Sequence, residues 1–171
     1  MKKQKGVTLI SLVIIVIVLG ILATVTIYYG RSLIKEAKLQ DFKTNMLLIE
    51  ASTKEYVEQV NFEKQSINNG ETLENLKSKY LKGTKLAGSA VEGLVSGLID
   101  NSKIDEYYYF TTEQLNEIGI KDVKSDNENG YYIVRYIIDE DISDNSYGAE
   151  VEIIHTQGFD GKHTLEQIKS M

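Results

Sequence analysis

Few side chains in this sequence have a type and spacing that suit chemistry. Its two histidines, His155 and His163, have Asp160 between them, and three such groups can begin a metal site. No helical spacing and no third nitrogen ligand supports one, so both are expected as surface histidines in a turn, with no metal bound. Asp139, Glu140, Asp141 and Asp144 form an acidic cluster, and Asp139, Asp141 and Ser143 with Glu150 loosely echo a calcium loop. Asp144 stands where such a loop needs glycine for its sharp turn, which favours a solvated hairpin loop instead. Of eleven tyrosines, Tyr107 to Tyr109 and Tyr131, Tyr132 and Tyr136 are grouped. They could make an adhesive surface, but strand residues packed on a core are the preferred reading. There is no glycine-rich phosphate cradle, no nucleophile–base pair and no carboxylate dyad at helical spacing. No enzyme is indicated, and no cofactor is expected.

The composition narrows the class further. At 171 residues the chain has room for one domain of ordinary size plus one extended element. It has no Cys, which excludes a disulfide framework, a zinc ribbon and a thiolate nucleophile. It has no Pro, so the commonest helix kink is missing too. A net charge of -6 argues against binding along a phosphate backbone, and no specific nucleic acid is expected as a partner.

The elements that position these residues begin with the N-terminus. From Gly6 to Gly30 no residue is charged, and this stretch follows Lys2, Lys3 and Lys5 and ends at Arg31. As a helix it would be about 37 Å long, enough to cross a hydrocarbon core of about 30 Å with some tilt. Fifteen of the residues from Val7 to Ile27 are Leu, Ile or Val, each favouring insertion by about 0.3 to 0.6 kcal/mol. The preceding lysines place the N-terminus in the cytoplasm and the rest of the chain outside. A cleaved secretory signal fits poorly, because the apolar run is too long and helical patterning continues through Arg31.

Beyond Arg31 the pattern becomes one-sided. Leu39, Phe42, Met46, Ile49, Thr53, Tyr56 and Val60 recur at spacings of three and four, predicting a stripe that needs a partner. From Val7 to about Asn61 the chain reads as one helix, softened only at Gly20 and Gly30, where local unwinding is conceivable. Asn68-Asn69-Gly70 ends it. Thr72 then opens an amphipathic segment with Leu73, Leu76, Tyr80 and Leu81 on one face, stopping at Gly83. Leu86 to Ile99 is rich in small residues and reads as a tightly packed helix or an adaptable loop. Thr111 with Gln114 reads as a capping box opening a helix to Ile118, closed by Gly119. Asn129-Gly130 marks a turn before a strand over Tyr131 to Ile138, paired after a long polar loop with a second strand over Tyr147 to Ile154. The expected fold class is α+β: a long N-terminal α-helix, half membrane-spanning and half amphipathic, packed against a small antiparallel β-sheet head.

The run Lys5-Gly6-Val7-Thr8-Leu9-Ile10, followed by Leu12 through Leu19 and Gly20-Ile21-Leu22-Ala23, resembles the type IV pilins and pseudopilins. The likeness covers the first 30 residues closely and the long helix in outline. It implies that a prepilin peptidase cuts after Gly6, that Val7 becomes the N-terminal residue and is methylated, and that the mature helix packs with its copies in a filament core. Removing the leader leaves 16 basic against 25 acidic residues, a net charge of -9. Where the family normally carries a glutamate four residues beyond the new N-terminus, this chain has Ser11. That hydroxyl cannot pair with a neighbour's amine, though it can bond a carbonyl one turn back. The substitution favours a minor pilin over the dominant subunit. The family's proline near the end of the apolar segment is absent too, with Tyr28 and Tyr29 standing there as residues of an interfacial belt.

The expected organisation is therefore a leader at 1–6, a transmembrane and filament-core half at 7–30, an amphipathic half at 31–61 and an α+β head at 62–171. The resemblance assigns processing to Gly6 and Val7, and assembly to Val7, Ser11, Leu12 and Gly20. It implies as partners other pilin subunits, the prepilin peptidase, the membrane before assembly and, indirectly, an assembly platform with its ATPase. The chain would be a single-pass protein of the cytoplasmic membrane that later joins a surface pilus. The composition suits an AT-rich Gram-positive bacterium. Two alternatives stand beside this: a pseudopilin of a secretion or competence system, and a membrane-tethered binding domain that keeps Met1 to Gly6.

Overall fold

The structure, a computed structural model, describes residues 9–64, 72–138 and 148–171. They form an α+β fold in which a long N-terminal helix is followed by a small five-stranded antiparallel sheet. Helix α1, Leu9–Lys64, runs unbroken through Gly20 and Gly30, so neither glycine unwinds it. The chain divides into two compact units, Met1–Asp41 and Phe42–Met171. The described part of the first is helix alone.

In the second unit the sheet is ordered β1-β2-β3-β4-β5, with every neighbour antiparallel. The strands are β1 (Thr84–Lys85), β2 (Tyr107–Phe110), β3 (Tyr132–Ile137), β4 (Glu150–Phe159) and β5 (Lys162–Thr164). Register sets the two faces, since side chains alternate along each strand. Phe110, Tyr132 and His155 stand side by side on one face, as do Tyr108, Val134 and Ile153. The part of α1 beginning at Phe42 covers that face, burying Met46, Ile49, Thr53, Val57 and Val60 completely. Those five positions step by three or four residues and keep one side of the helix on the strands. The predicted stripe differs in two respects: its first member, Leu39, belongs to the first unit and is half-buried, as Phe42 is, and Tyr56 is half-buried while Val57 takes the central position. Tyr56 and Val57 lie within reach of the same face one turn after Thr53, and the compact β-branched side chain occupies the closest approach. Thr53 satisfies its buried hydroxyl by donating to the Ile49 carbonyl at 2.6 Å.

The opposite face carries Tyr107, Tyr109, Ile133, Arg135, Glu152 and Ile154. It is covered by the small-residue segment, which buries Leu86, Val91 and Val95 against Tyr107, Ile133 and Ile154. That segment is neither a continuous helix nor a bare loop. It holds one 3-10 turn, Glu92–Val95, and Gly88 and Gly97 adopt φ of +73° and +79°, which an α-helix does not accept. Three layers result: helix, sheet and irregular cover.

The short helices follow their caps. In α2, Leu73–Tyr80, the Thr72 hydroxyl accepts from the Asn75 N–H, and Leu76 is buried. In α3, Thr112–Glu117, Thr111 and Gln114 form the full capping box, and Gly119 closes the turn at φ +87°. A second capping box, Thr164 with Gln167, opens α4 over Leu165–Lys169 and was not read from the sequence. Strand β4 runs to Phe159, five residues beyond the predicted end at Ile154, and β5 returns along it through Asp160 and Gly161. The helix end at Asn68 to Gly70 and the polar loop from Asp139 to Ser146 lie outside the described residues, and with them the calcium reading.

Candidate functional site

Two surfaces stand out as candidates. The first is the apolar half of α1. It is long and apolar enough to cross a membrane, and its most apolar stretch has no buried residue. From Leu12 to Ile27 the large side chains are all exposed. The threonines within it keep their hydroxyls on the helix's own backbone. Thr24 donates to the carbonyls of Gly20 at 3.0 Å and Ile21 at 2.8 Å, and Thr26 to that of Leu22 at 2.8 Å. Hydroxyls satisfied this way need no water, which suits a hydrocarbon surrounding. A Cβ built on Gly20 meets no heavy atom within 4 Å, and neither does one on Gly30. Both glycines therefore have room on the chain's own account. Leu12 is exposed on this helix, the backbone of Ser11 is part of it, and Gly6 and Val7 lie outside the described residues.

The second surface is the side of α1 that faces away from the sheet in the second unit. Leu47, Leu48, Ala51, Glu55, Glu58 and Phe62 are exposed there, and the Phe62 ring is 72% exposed. Phe62, Glu55 and Glu58, with Gly148 and Ala149 at the start of β4, line a groove of about 500 Å³. Its floor is apolar and two carboxylates stand at its rim. The sequence held this signal, because these positions also recur at three and four, out of phase with the buried stripe.

The residues with chemical potential are committed to structure. His155 is not a surface histidine in a turn. It sits on β4, buried beneath Phe42 and Tyr132, with ring centroids 5.0 and 4.5 Å away. The strand continues five residues further than its hydrophobic alternation suggested, which carries His155 onto the helix-covered face. Its Nδ1 accepts from the Gly158 N–H at 3.1 Å, and burial, with a smaller contribution from His163, pushes its pKa down to about 4. His163 is half-buried on β5, with Nδ1 3.0 Å from the His155 carbonyl. Among the described residues no group of three His, Asp or Glu side chains is arranged to hold a metal.

On the opposite face Arg135 joins three elements. Its Nε donates to Glu106 at 2.7 Å, its Nη1 lies 3.7 Å from Glu152, and its guanidinium stands 5.8 Å from the Tyr107 ring centre. Burial lowers its pKa, but Glu106, with smaller contributions from Tyr107 and Glu152, more than reverses that and leaves it raised. Tyr107, Tyr108, Tyr132 and Tyr136 are buried in the strands, while Tyr109 and Tyr131 meet edge to face at 5.6 Å with part of each ring exposed. Burial pushes the Tyr132 hydroxyl up to about 12 and raises Tyr136 further. On the helix side Glu50 collects Lys54 at 3.1 Å and Lys169 at 3.3 Å. Burial raises its pKa, and the two ammonium groups together more than reverse that, leaving it lowered.

No protein-family model matches the chain, and neither a curated protein nor a solved structure does.

Proposed function

We propose that this protein is a structural subunit of an extracellular filament of the type IV pilin kind, held in the membrane by α1 until it is assembled. The observation that carries this reading is the contrast between the two units. The second unit has a core of its own, built from α1 beyond Phe42, the sheet and its cover. The first presents apolar side chains to every side and buries none of its most apolar stretch. Such a helix needs a lipid surrounding or other helices. The sequence Lys5-Gly6-Val7 just ahead of it supports cleavage after Gly6, which would leave Val7, Ser11, Leu12 and Gly20 at the leading end of a packing helix. Small residues such as Gly20 let helix backbones approach closely in lipid or in a bundle.

The test is the N-terminal sequence and intact mass of the protein recovered from its native cells, in membranes and in a fraction sheared from the surface. A chain starting at Val7 in the sheared fraction is the expected result. A chain that keeps Met1 to Gly6 and stays wholly in membranes would overturn the filament reading and leave a tethered domain. Abundance in the sheared fraction then separates a minor subunit, favoured by Ser11, from a major one.

A further inference from the structure

We propose that Asn129 is a deamidation site held in check by Asp126, so that the modification marks copies whose turn over 126–130 has opened. The inference stands apart from the filament reading, because it rests on the turn that leads into β3. Asparagine followed by glycine is the pair most prone to this reaction, since glycine, with no Cβ, leaves its own backbone nitrogen unhindered. The Gly130 nitrogen attacks Cγ of Asn129 and a C–N bond forms, while the side-chain amide leaves as ammonia and takes the proton of the Gly130 N–H. Water then opens the resulting cyclic imide at either C–N bond, giving aspartate or isoaspartate. No electrons change hands. The fold itself demands the glycine: Gly130 is buried with φ of +86°, and a Cβ there would stand 2.7 Å from Cε1 of His155. The residue that the turn requires is thus the one that makes Asn129 reactive.

Geometry holds the reaction off. Ring closure needs the Asn129 amide carbon turned onto the Gly130 nitrogen at near-attack distance. Instead the Asn129 Nδ2 donates to both Asp126 carboxylate oxygens, at 2.8 and 3.1 Å, and its backbone N–H donates to Oδ1 at 2.9 Å. On the far side of the peptide bond the Gly130 carbonyl accepts from the Asp126 N–H at 3.2 Å, and the side chains of His155, Thr156 and Gln157 crowd its Cα. Both sides of the bond that must rotate are fixed. The Asn129 backbone N–H, with its side chain, also holds the Asp126 carboxyl below the usual range. The attacking nitrogen reacts as an anion, and the carboxylate in the same turn opposes that charge. Opening the turn removes these restraints together. The product then blocks the return, because a carboxylate at 129 would face Asp126 where an amide had donated, and like charges repel. The modification is therefore one-way, and it is set by how often this turn opens.

The test incubates the full-length protein at neutral pH, folded in detergent and unfolded in guanidinium, and follows Asn129 by peptide mapping with mass spectrometry. Enzymatic methylation identifies isoaspartate. Conversion is expected to be slower in the folded chain by about tenfold or more. Asp126→Ala should raise the folded rate about tenfold, because charge-assisted bonds hold the turn, and should leave the guanidinium rate unchanged. Asp126→Asn, which keeps an acceptor oxygen without the charge, should give a smaller rise. In both variants hydrogen exchange should still find the amides of Ile133 and Ile154 protected. No conversion of Asn129 in either state would overturn the site itself. Equal rates in the two states, or a folded rate unmoved by Asp126→Ala, would overturn the check that Asp126 exerts. Core amides that exchange as fast as Asn129 converts would show that the whole head opens, and would overturn it too.

Discussion

The Phe42 ring stands edge-on to the ring of His155, with centroids 5.0 Å apart and planes at 86°. This contact joins the helix to the fourth strand at the point where a titratable group is buried, and it makes the head sensitive to acid. His155 is held below its ordinary pKa, so the folded head favours the neutral ring and the unfolded chain takes up a proton first. Stability from this site is whole above about pH 6.5 and falls as the pH drops towards about 4, by about 3 kcal/mol in all. Protonation at Nδ1 also removes the acceptor of the Gly158 N–H. Urea unfolding of the full-length protein in detergent, followed by circular dichroism at several pH values, should show this loss. His155→Phe should flatten the profile between those limits, and an unchanged profile would remove His155 as its cause.

Gly158 is the glycine with least freedom to change. It has φ of +64°, and a Cβ there would sit 2.3 Å from the Lys162 carbonyl oxygen, a backbone atom that cannot swing aside. Gly158→Ala should cost about 2 to 4 kcal/mol, through left-handed backbone and overlap together. Gly161→Ala, with φ of +72° and open space around it, should cost about 1 kcal/mol. Equal losses in thermal unfolding would show that the close approach of β4 and β5 is not what fixes Gly158.

Ser125 serves as a linchpin between two strand ends. Its hydroxyl donates to the Phe110 carbonyl and accepts from the Tyr132 N–H at 3.1 Å, while its own N–H donates to Thr112 Oγ1 at 2.9 Å. It is buried, so Ser125→Ala leaves the Phe110 carbonyl and the Tyr132 N–H without this partner. A loss of about 2 to 3 kcal/mol is expected. Hydrogen exchange should quicken first at Tyr132, and a loss below about 0.5 kcal/mol would contradict the role.

Arg135 clasps the irregular cover to the sheet through Glu106 and Glu152. Arg135→Ala should cost about 1 to 2 kcal/mol, because the guanidinium is largely buried while its partners are partly exposed. The effect should be local, with amides of Asn101 to Glu106 exchanging faster and those of α1 unaffected.

Val57 and its neighbour Tyr56 give a direct comparison on the stripe. Val57→Ala removes two methyl groups from a site with no exposure, and about 2 kcal/mol should be lost. Tyr56→Leu, at a half-buried place, should cost less than half as much. The reverse order, measured by urea unfolding, would return the central position to Tyr56.

The sequence by itself determined the elements whose signals are local. An uncharged run from Gly6 to Gly30 has no stable place among polar surroundings, so it declares a span or a packing helix by composition alone. Met46, Ile49, Thr53 and Val60 recur with the helical period, and Thr111 with Gln114 places its own capping box, because both depend on residues within a few positions. What only the tertiary structure decided were relationships between distant residues. Whether Tyr56 or Val57 lies deepest depends on how α1 is rotated over the strands, to which a period of three or four is blind. His155 is buried because β4 continues beyond the point where its alternation of apolar residues stops, and because Phe42, 113 positions earlier, lies over it. The bonds of Arg135 and Ser125 join segments that no local pattern links. The groove beside Phe62 exists because β4 begins next to the last turns of α1, so it belongs to the packing and not to either stretch of chain.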